Sequence, residues 1–102
     1  MATIFEKIIA REIPADIIDE DDSCIVIKDI QPQAPFHALI IPKKTIPRIA
    51  QTEFSDVELL GHLLHKAKQI AKKNNLENGF RIVINNGKTA ANLYLTYMFT
   101  YL

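Results

Sequence analysis

One stretch of this chain has a helical period long enough for a substantial helix, and it lies between groups of short β-branched runs. From residue 55 to about Asn75, Leu60, Leu63, Leu64, Ala67, Ile70 and Ala71 recur at the spacing of an amphipathic helix. Ser55-Asp-Val-Glu58 reads as a capping box at its start, with Phe54 and Leu59 placed for a hydrophobic staple. Lys66, Lys68, Lys72 and Lys73 lie largely off the apolar stripe and read as a solvated face. Such a helix must bury its stripe against a second layer, and the flanking runs supply one. Asp16–Asp19 and Cys24–Lys28 form a hairpin pattern around the acidic turn Glu20-Asp-Asp-Ser23. After the rigid loop Gln31–Pro35, His37–Ile41 is a third strand stopped by Pro42. Phe80–Asn85 alternates as a fourth, before the turn signal Asn86-Gly87. Near the N-terminus, Ile4, Phe5, Ile8 and Ile9 share one face of a short helix that Ile13-Pro14 should end. The expectation is an α+β fold: an antiparallel sheet of about five strands, one long helix and a short N-terminal helix.

The 102 residues suit a single domain, expected to span 1–102. Twelve basic and twelve acidic side chains cancel, which removes the electrostatic footprint of a nucleic-acid binder and leaves little repulsion against self-association. Cys24 is the one cysteine, so an internal disulfide and a thiolate metal cluster are excluded; its apolar setting reads as a buried reduced thiol. No basic-then-apolar leader is visible, and the uncharged tail falls short of the roughly 20 apolar residues a membrane span needs. A cytoplasmic protein without membrane contact is expected. His62 and His65 have i, i+3 spacing, but no third ligand has an obvious place beside them. No metal or cofactor is expected.

Several motifs occur in one order: Phe5-x-x-Ile8, Glu12-Ile-Pro-Ala15, Asp29-Ile-x-Pro-x-Ala-Pro-x-His37, Ile40-Ile-Pro-Lys43 and Arg81-Ile-Val-Ile-Asn-Asn-Gly87. Together, over roughly Thr3 to Gly87, they resemble the histidine triad (HIT) family, and within it the small nucleoside-phosphoramidate hydrolases. The resemblance implies a homodimer that binds a purine nucleoside monophosphate. Asp29 would then accept hydrogen bonds from the two ribose hydroxyls, a task suited to a two-oxygen acceptor. Phe5, Ile8, Ile13 and Ile30 would wall the base pocket, Asn85 would lie near the phosphate, and His37 would neighbour the catalytic strand. By residue type alone, Phe5 and Ile8 read as core, Asp29 as a strand-end turn former and His37 as a satisfied buried histidine.

The last dozen residues depart from that family. Its catalytic strand carries His-φ-His-φ-His, φ being apolar, and the central histidine attacks the α-phosphorus to form a covalent nucleotidyl intermediate. Here Thr96, Met98 and Thr100 hold those positions, so no catalytic histidine is intact and the segment of about 89–102 is atypical. Read from the third base of each codon, the same stretch can spell Gln-Ser-Val-Phe-Asn-Leu-His-Val-His-Leu. That suggests a single-base deletion near Ala91 and an out-of-frame or truncated C-terminus. The family normally continues beyond its triad. The tail is β-prone, uncharged and free of proline, an aggregation-prone pattern, yet its alternation allows it to pair beside Phe80–Asn85.

Overall fold

A computed structural model of the chain describes residues 4–29, 36–76, 79–86 and 95–98, the side chains of residues 4, 5 and 95–98 excepted. Its elements are helix α1 (Ile4–Ile9), strands β1 (Ile17–Glu20), β2 (Cys24–Lys28) and β3 (His37–Pro42), helix α2 (Val57–Lys73), and strands β4 (Arg81–Ile84) and β5 (Leu95–Met98). The five strands make one sheet in the order β1-β2-β3-β5-β4, each neighbour antiparallel. The expected α+β architecture is therefore present. β5 does pair beside β4, but it also enters the sheet between β4 and β3.

Strand alternation divides the core into two layers. Cys24, Val26, Ala38 and Ile40 face α2, where they meet Leu63, Ala67, Ile70, Ala71 and Leu76. Ile25, Ile27, Leu39 and Ile41 face the other way and meet Ile8 of α1. Ile25, Ile40, Ile41, Leu63 and Ile70 are almost completely enclosed. Burial of each such side chain stabilises the fold by about 1.5–3 kcal/mol. Lys28 and Asp29 extend the β2 ladder through amide hydrogen bonds to the carbonyls of Asp16 (2.9 Å) and His37 (3.0 Å).

Several local expectations are corrected. The capping box is two residues earlier: a 3₁₀ turn, Phe54–Asp56, precedes α2, and its box joins Glu53 and Asp56. The Glu53 amide donates to Asp56 Oδ2 at 2.9 Å, so Ser55 and Glu58 have no such role. Phe54 is 92% exposed, so the staple with Leu59 does not form. On α2, Leu64 is 50% exposed while Lys66 is 8% exposed. The stripe is thus centred on Leu63, Ala67 and Ile70, and its flank at Lys66 turns toward the acidic β1–β2 turn. β3 runs one residue further than expected and ends on Pro42 itself, opposite Cys24.

α1 ends at Ile9, before Ile13-Pro14. The stop is a Schellman motif: Arg11 takes a left-handed φ of 64°, Glu12 N donates to Lys7 O (2.8 Å) and Arg11 N to Ile8 O (3.1 Å). α2 ends in the same way at Asn75, φ 60°, with Leu76 N to Ala71 O at 2.9 Å and Asn75 N to Lys72 O at 3.3 Å. No described helix is long and apolar enough to cross a membrane.

Candidate functional site

Residues 25, 27 and 29 of β2 and its extension alternate onto the α1 face, as do 37, 39 and 41 of β3. Asp29 and His37 consequently end up at the same end of that face, beyond Ile27 and Leu39. Their backbones are joined by the Asp29 amide, and His37 Nε2 lies 3.3 Å from Asp29 Oδ2. The His37 side chain is 4% exposed and the Asp29 side chain 21%, so the carboxylate keeps access to solvent while the ring does not. Ile8, buried on α1, lies in the same apolar layer, and Ile13 packs against it.

β5 completes the face. Register pairs position 98 with His37 and position 96 with Leu39, and on the other side with Arg81 and Val83. Positions 96 and 98 therefore occupy the α1 side of the sheet next to His37, where Thr96 and Met98 stand in this sequence. Methionine, a thioether with no proton to lose, is no useful nucleophile toward phosphorus, and threonine would need a base to become one. Asn85 is exposed just beyond β4. Phe5 lies in α1 with its side chain outside the described residues, as are Ile30, the loop 31–35, Gly87 and position 100.

A second polar cluster joins α2 to the β1–β2 turn, and the sequence reading missed it. Asp21 Oδ1 accepts from the amides of Ser23 (2.7 Å) and Cys24 (2.9 Å). Its Oδ2 lies 2.7 Å from His62 Nε2 and 3.1 Å from Lys66 Nζ, while Lys66 also donates to Asp19 at 3.1 Å. Burial alone would raise the Asp21 carboxyl, but the Ser23 amide, His62, Lys66 and the Cys24 amide outweigh it and hold it below the ordinary 3.8. Burial, then the Asp21 charge, push the Cys24 thiol up to about 12, so it stays protonated.

Asp21, Cys24 and His62 bring potential metal-ligand atoms within 4.8 Å of one another. Four donors already satisfy Asp21, and a lysine ammonium sits where a cation would be repelled. The cluster is better explained as a junction between elements. The clue was the three-residue spacing of Asp21 and Cys24 opposite an amphipathic helix with a lysine on its flank. A groove of about 700 Å³, lined in part by His65, Lys68, Lys72 and Lys73, runs along α2.

The comparisons agree with this architecture. The family described as scavenger mRNA decapping enzyme C-terminal binding matches residues 2–97. An uncharacterised HIT-like protein of Synechocystis is 55% identical over 85 residues, which cover 83% of this chain and 75% of that protein. A HIT family hydrolase from Legionella pneumophila superposes with a TM-score of 0.93 at 38% identity, covering 99% of this chain and 95% of that one. The chain belongs to the histidine triad family. A histidine triad nucleotide-binding protein from Candida albicans also superposes, with a TM-score of 0.84 at 27% identity over 94% of this chain and 73% of that one. The scaffold is that of the HIT family hydrolases, with a β5 that carries no histidine at positions 95–98.

Proposed function

We propose that this chain binds a purine nucleoside monophosphate on the α1 face of its sheet, and that the hydrolysis of nucleoside phosphoramidates or related phosphoanhydrides expected of intact relatives is impaired in it. The observation that carries the reading is the coincidence on one face of a part-exposed carboxylate, Asp29, a buried imidazole, His37, and an apolar wall at Ile8 and Ile13, beside a β5 with methionine opposite His37. That the Candida albicans relative is a histidine triad nucleotide-binding protein supports the same class of ligand. Phe5, Ile8, Ile13 and Ile30 contact the base, Asp29 the ribose and Asn85 the phosphate, with His37 at the active-site margin. Without a nucleophilic histidine, no covalent nucleotidyl intermediate forms, and rate losses on the order of 10³-fold or more follow.

In this reading residues 1–102 form one HIT-like domain, with 89–102 its atypical part, working in the cytoplasm as a homodimer. β4 is at the edge of the sheet and offers its outer backbone groups to a second copy. Calorimetric titration with AMP, paired with an assay on adenosine 5′-phosphoramidate, tests the function. Binding with turnover at least about 10³-fold below a histidine-bearing relative is expected; turnover at the relative's rate defeats the impairment, and absence of AMP binding defeats the pocket. Equilibrium sedimentation reads the dimer.

A second reading rests on the histidines spelled by the shifted frame of the tail: a frameshifted product without a selected function. Resequencing the DNA across residues 89–102 separates the two, because an extra base near Ala91 restores a histidine-bearing frame.

A further inference from the structure

We propose that α2 carries a second binding site, separate from the α1 face: a groove along the helix that takes a linear oligophosphate chain. The groove has a volume of about 700 Å³ and is lined by His65, Lys68, Gln69, Lys72 and Lys73, together with Lys66 and Asp19. α2 packs on the sheet face opposite to α1, so this site does not depend on the nucleotide reading above. Its positive charge is not cancelled from within. Lys66 is held by Asp19 and Asp21, each at 3.1 Å, and Asp19 is the one acidic residue in the lining. Lys68, Lys72 and Lys73 are exposed and make no hydrogen bond or ion pair among the described residues. The sequence has no acidic residue between Glu58 and Glu77, so three ammonium groups stand there without matching carboxylates.

The spacing selects the ligand. Residues three and four apart on a helix are neighbours, with about 5–6 Å between Cβ atoms. His65, Lys68 and Lys72 follow one another at such steps, as do His65, Gln69 and Lys73. The donors therefore form a strip whose charges are several Å apart. Orthophosphate carries its charge at one centre and engages part of that strip. A chain of linked phosphates spreads its charge along a line and engages the whole of it, with the Gln69 amide as an uncharged donor. Lys68 and Lys72 have the i, i+4 spacing at which like charges destabilise a helix, and a bound polyanion relieves that repulsion. Lys72 and Lys73 also lie in the last turn, where cations complement the helix dipole, but Lys68 does not. The negative helix end disfavours an anion, so the ammonium groups supply the attraction. A long nucleic-acid backbone is the poorer occupant. The chain has no net charge, and the acidic run Asp19–Asp22 meets the groove at Asp19, where further phosphates would be repelled.

The test is calorimetric titration of the full chain with inorganic tripolyphosphate and with orthophosphate, at one ionic strength because salt screens exposed charges. Tripolyphosphate is expected to bind at least about tenfold more tightly than orthophosphate. Lys68→Gln/Lys72→Gln removes two exposed charges with little change in helix propensity, and should weaken tripolyphosphate about tenfold or more. Lys7→Gln/Arg48→Gln removes the same charge outside the groove and should change its affinity less than about twofold. Lys68→Arg/Lys72→Arg keeps the charge and the phosphate-binding donors, so it should retain most of the affinity. Each variant is checked for native circular dichroism. Equal affinity for the two anions, or no binding of tripolyphosphate at millimolar concentration, overturns the proposal. Equal losses in the two glutamine variants would show attraction to net charge alone, and unchanged affinity in Lys68→Gln/Lys72→Gln would place the anion elsewhere; either result also overturns it. Tighter binding of a single-stranded RNA oligomer, lost in the same variant, would make nucleic acid the occupant and overturn the oligophosphate assignment.

Discussion

Lys66 shows how a single residue can reverse a reading made from pattern. As one of four lysines on a helix it looked solvated, yet it is buried between Asp19 and Asp21. Replacement by methionine keeps the length and removes the charge, leaving two carboxylates close together with less compensation; a loss of about 1–3 kcal/mol is expected by urea denaturation at neutral pH. The cluster also sets an acid limit. For Asp19, burial acts to raise the carboxyl, but Lys66 and the Glu20 amide outweigh it, so Asp19, like Asp21, titrates below its ordinary 3.8. A carboxyl depressed in the folded state contributes stability above its unfolded value, and that contribution is lost as pH falls through the folded value. Stability should therefore decline below about pH 4, and Asp21→Asn should flatten that decline while lowering stability at neutral pH. Unfolding curves at pH 7, 4 and 3 distinguish this from a pH-independent core. The cluster was illegible in the sequence because its members are 41 and 47 residues apart across the helix–turn contact, and periodicity reports only one element at a time.

At the scale of the element, hydrophobic rhythm gave the strands and the long helix, but side-chain caps and turn geometry fixed their ends. β2 matched its predicted span because its run is both apolar and bounded by the Asp21 turn. The start of α2 did not, since two candidate boxes lie two residues apart and the 3₁₀ turn selects the earlier one. This ambiguity can be tested. Ser55→Ala is exposed and makes no cap, so it should change stability by less than about 0.5 kcal/mol, whereas Asp56→Ala should lower the melting temperature clearly. At the other end, Asn75 occupies the left-handed position of the Schellman motif. Asn75→Gly should be neutral or stabilising by up to about 1 kcal/mol, and Asn75→Ala destabilising by a similar amount. Thermal melts of these four variants rank the two ends of the same helix. A Ser55→Ala loss equal to that of Asp56→Ala would return the cap to the later box.

The whole molecule is a sheet with two unlike faces, and that division separates stability from the proposed chemistry. α2 packs on one face through Leu63, Ala67 and Ile70 and α1 on the other through Ile8, while Asp29 keeps part of its side chain accessible. The motifs in the first 87 residues made this scaffold readable, because their described residues fall on α1, before β1, at the end of β2, on β3 and on β4. What the tail does in the sheet was less readable, since β5 is interleaved between strands distant in sequence, and strand order comes from tertiary pairing. The two-face arrangement predicts that damage to one layer is separable from damage to the other. Ile70→Ala empties space on the α2 side and should cost about 2–4 kcal/mol of stability while AMP affinity changes less than about twofold. Ile8→Ala removes a buried side chain from the α1 layer, so it should lower stability by a comparable amount and also weaken AMP several-fold. Urea unfolding and calorimetry on the same preparations provide both readouts. Equal affinity loss in the two variants would mean that the layers are coupled through the sheet, and unchanged affinity in Ile8→Ala would move the base pocket away from α1.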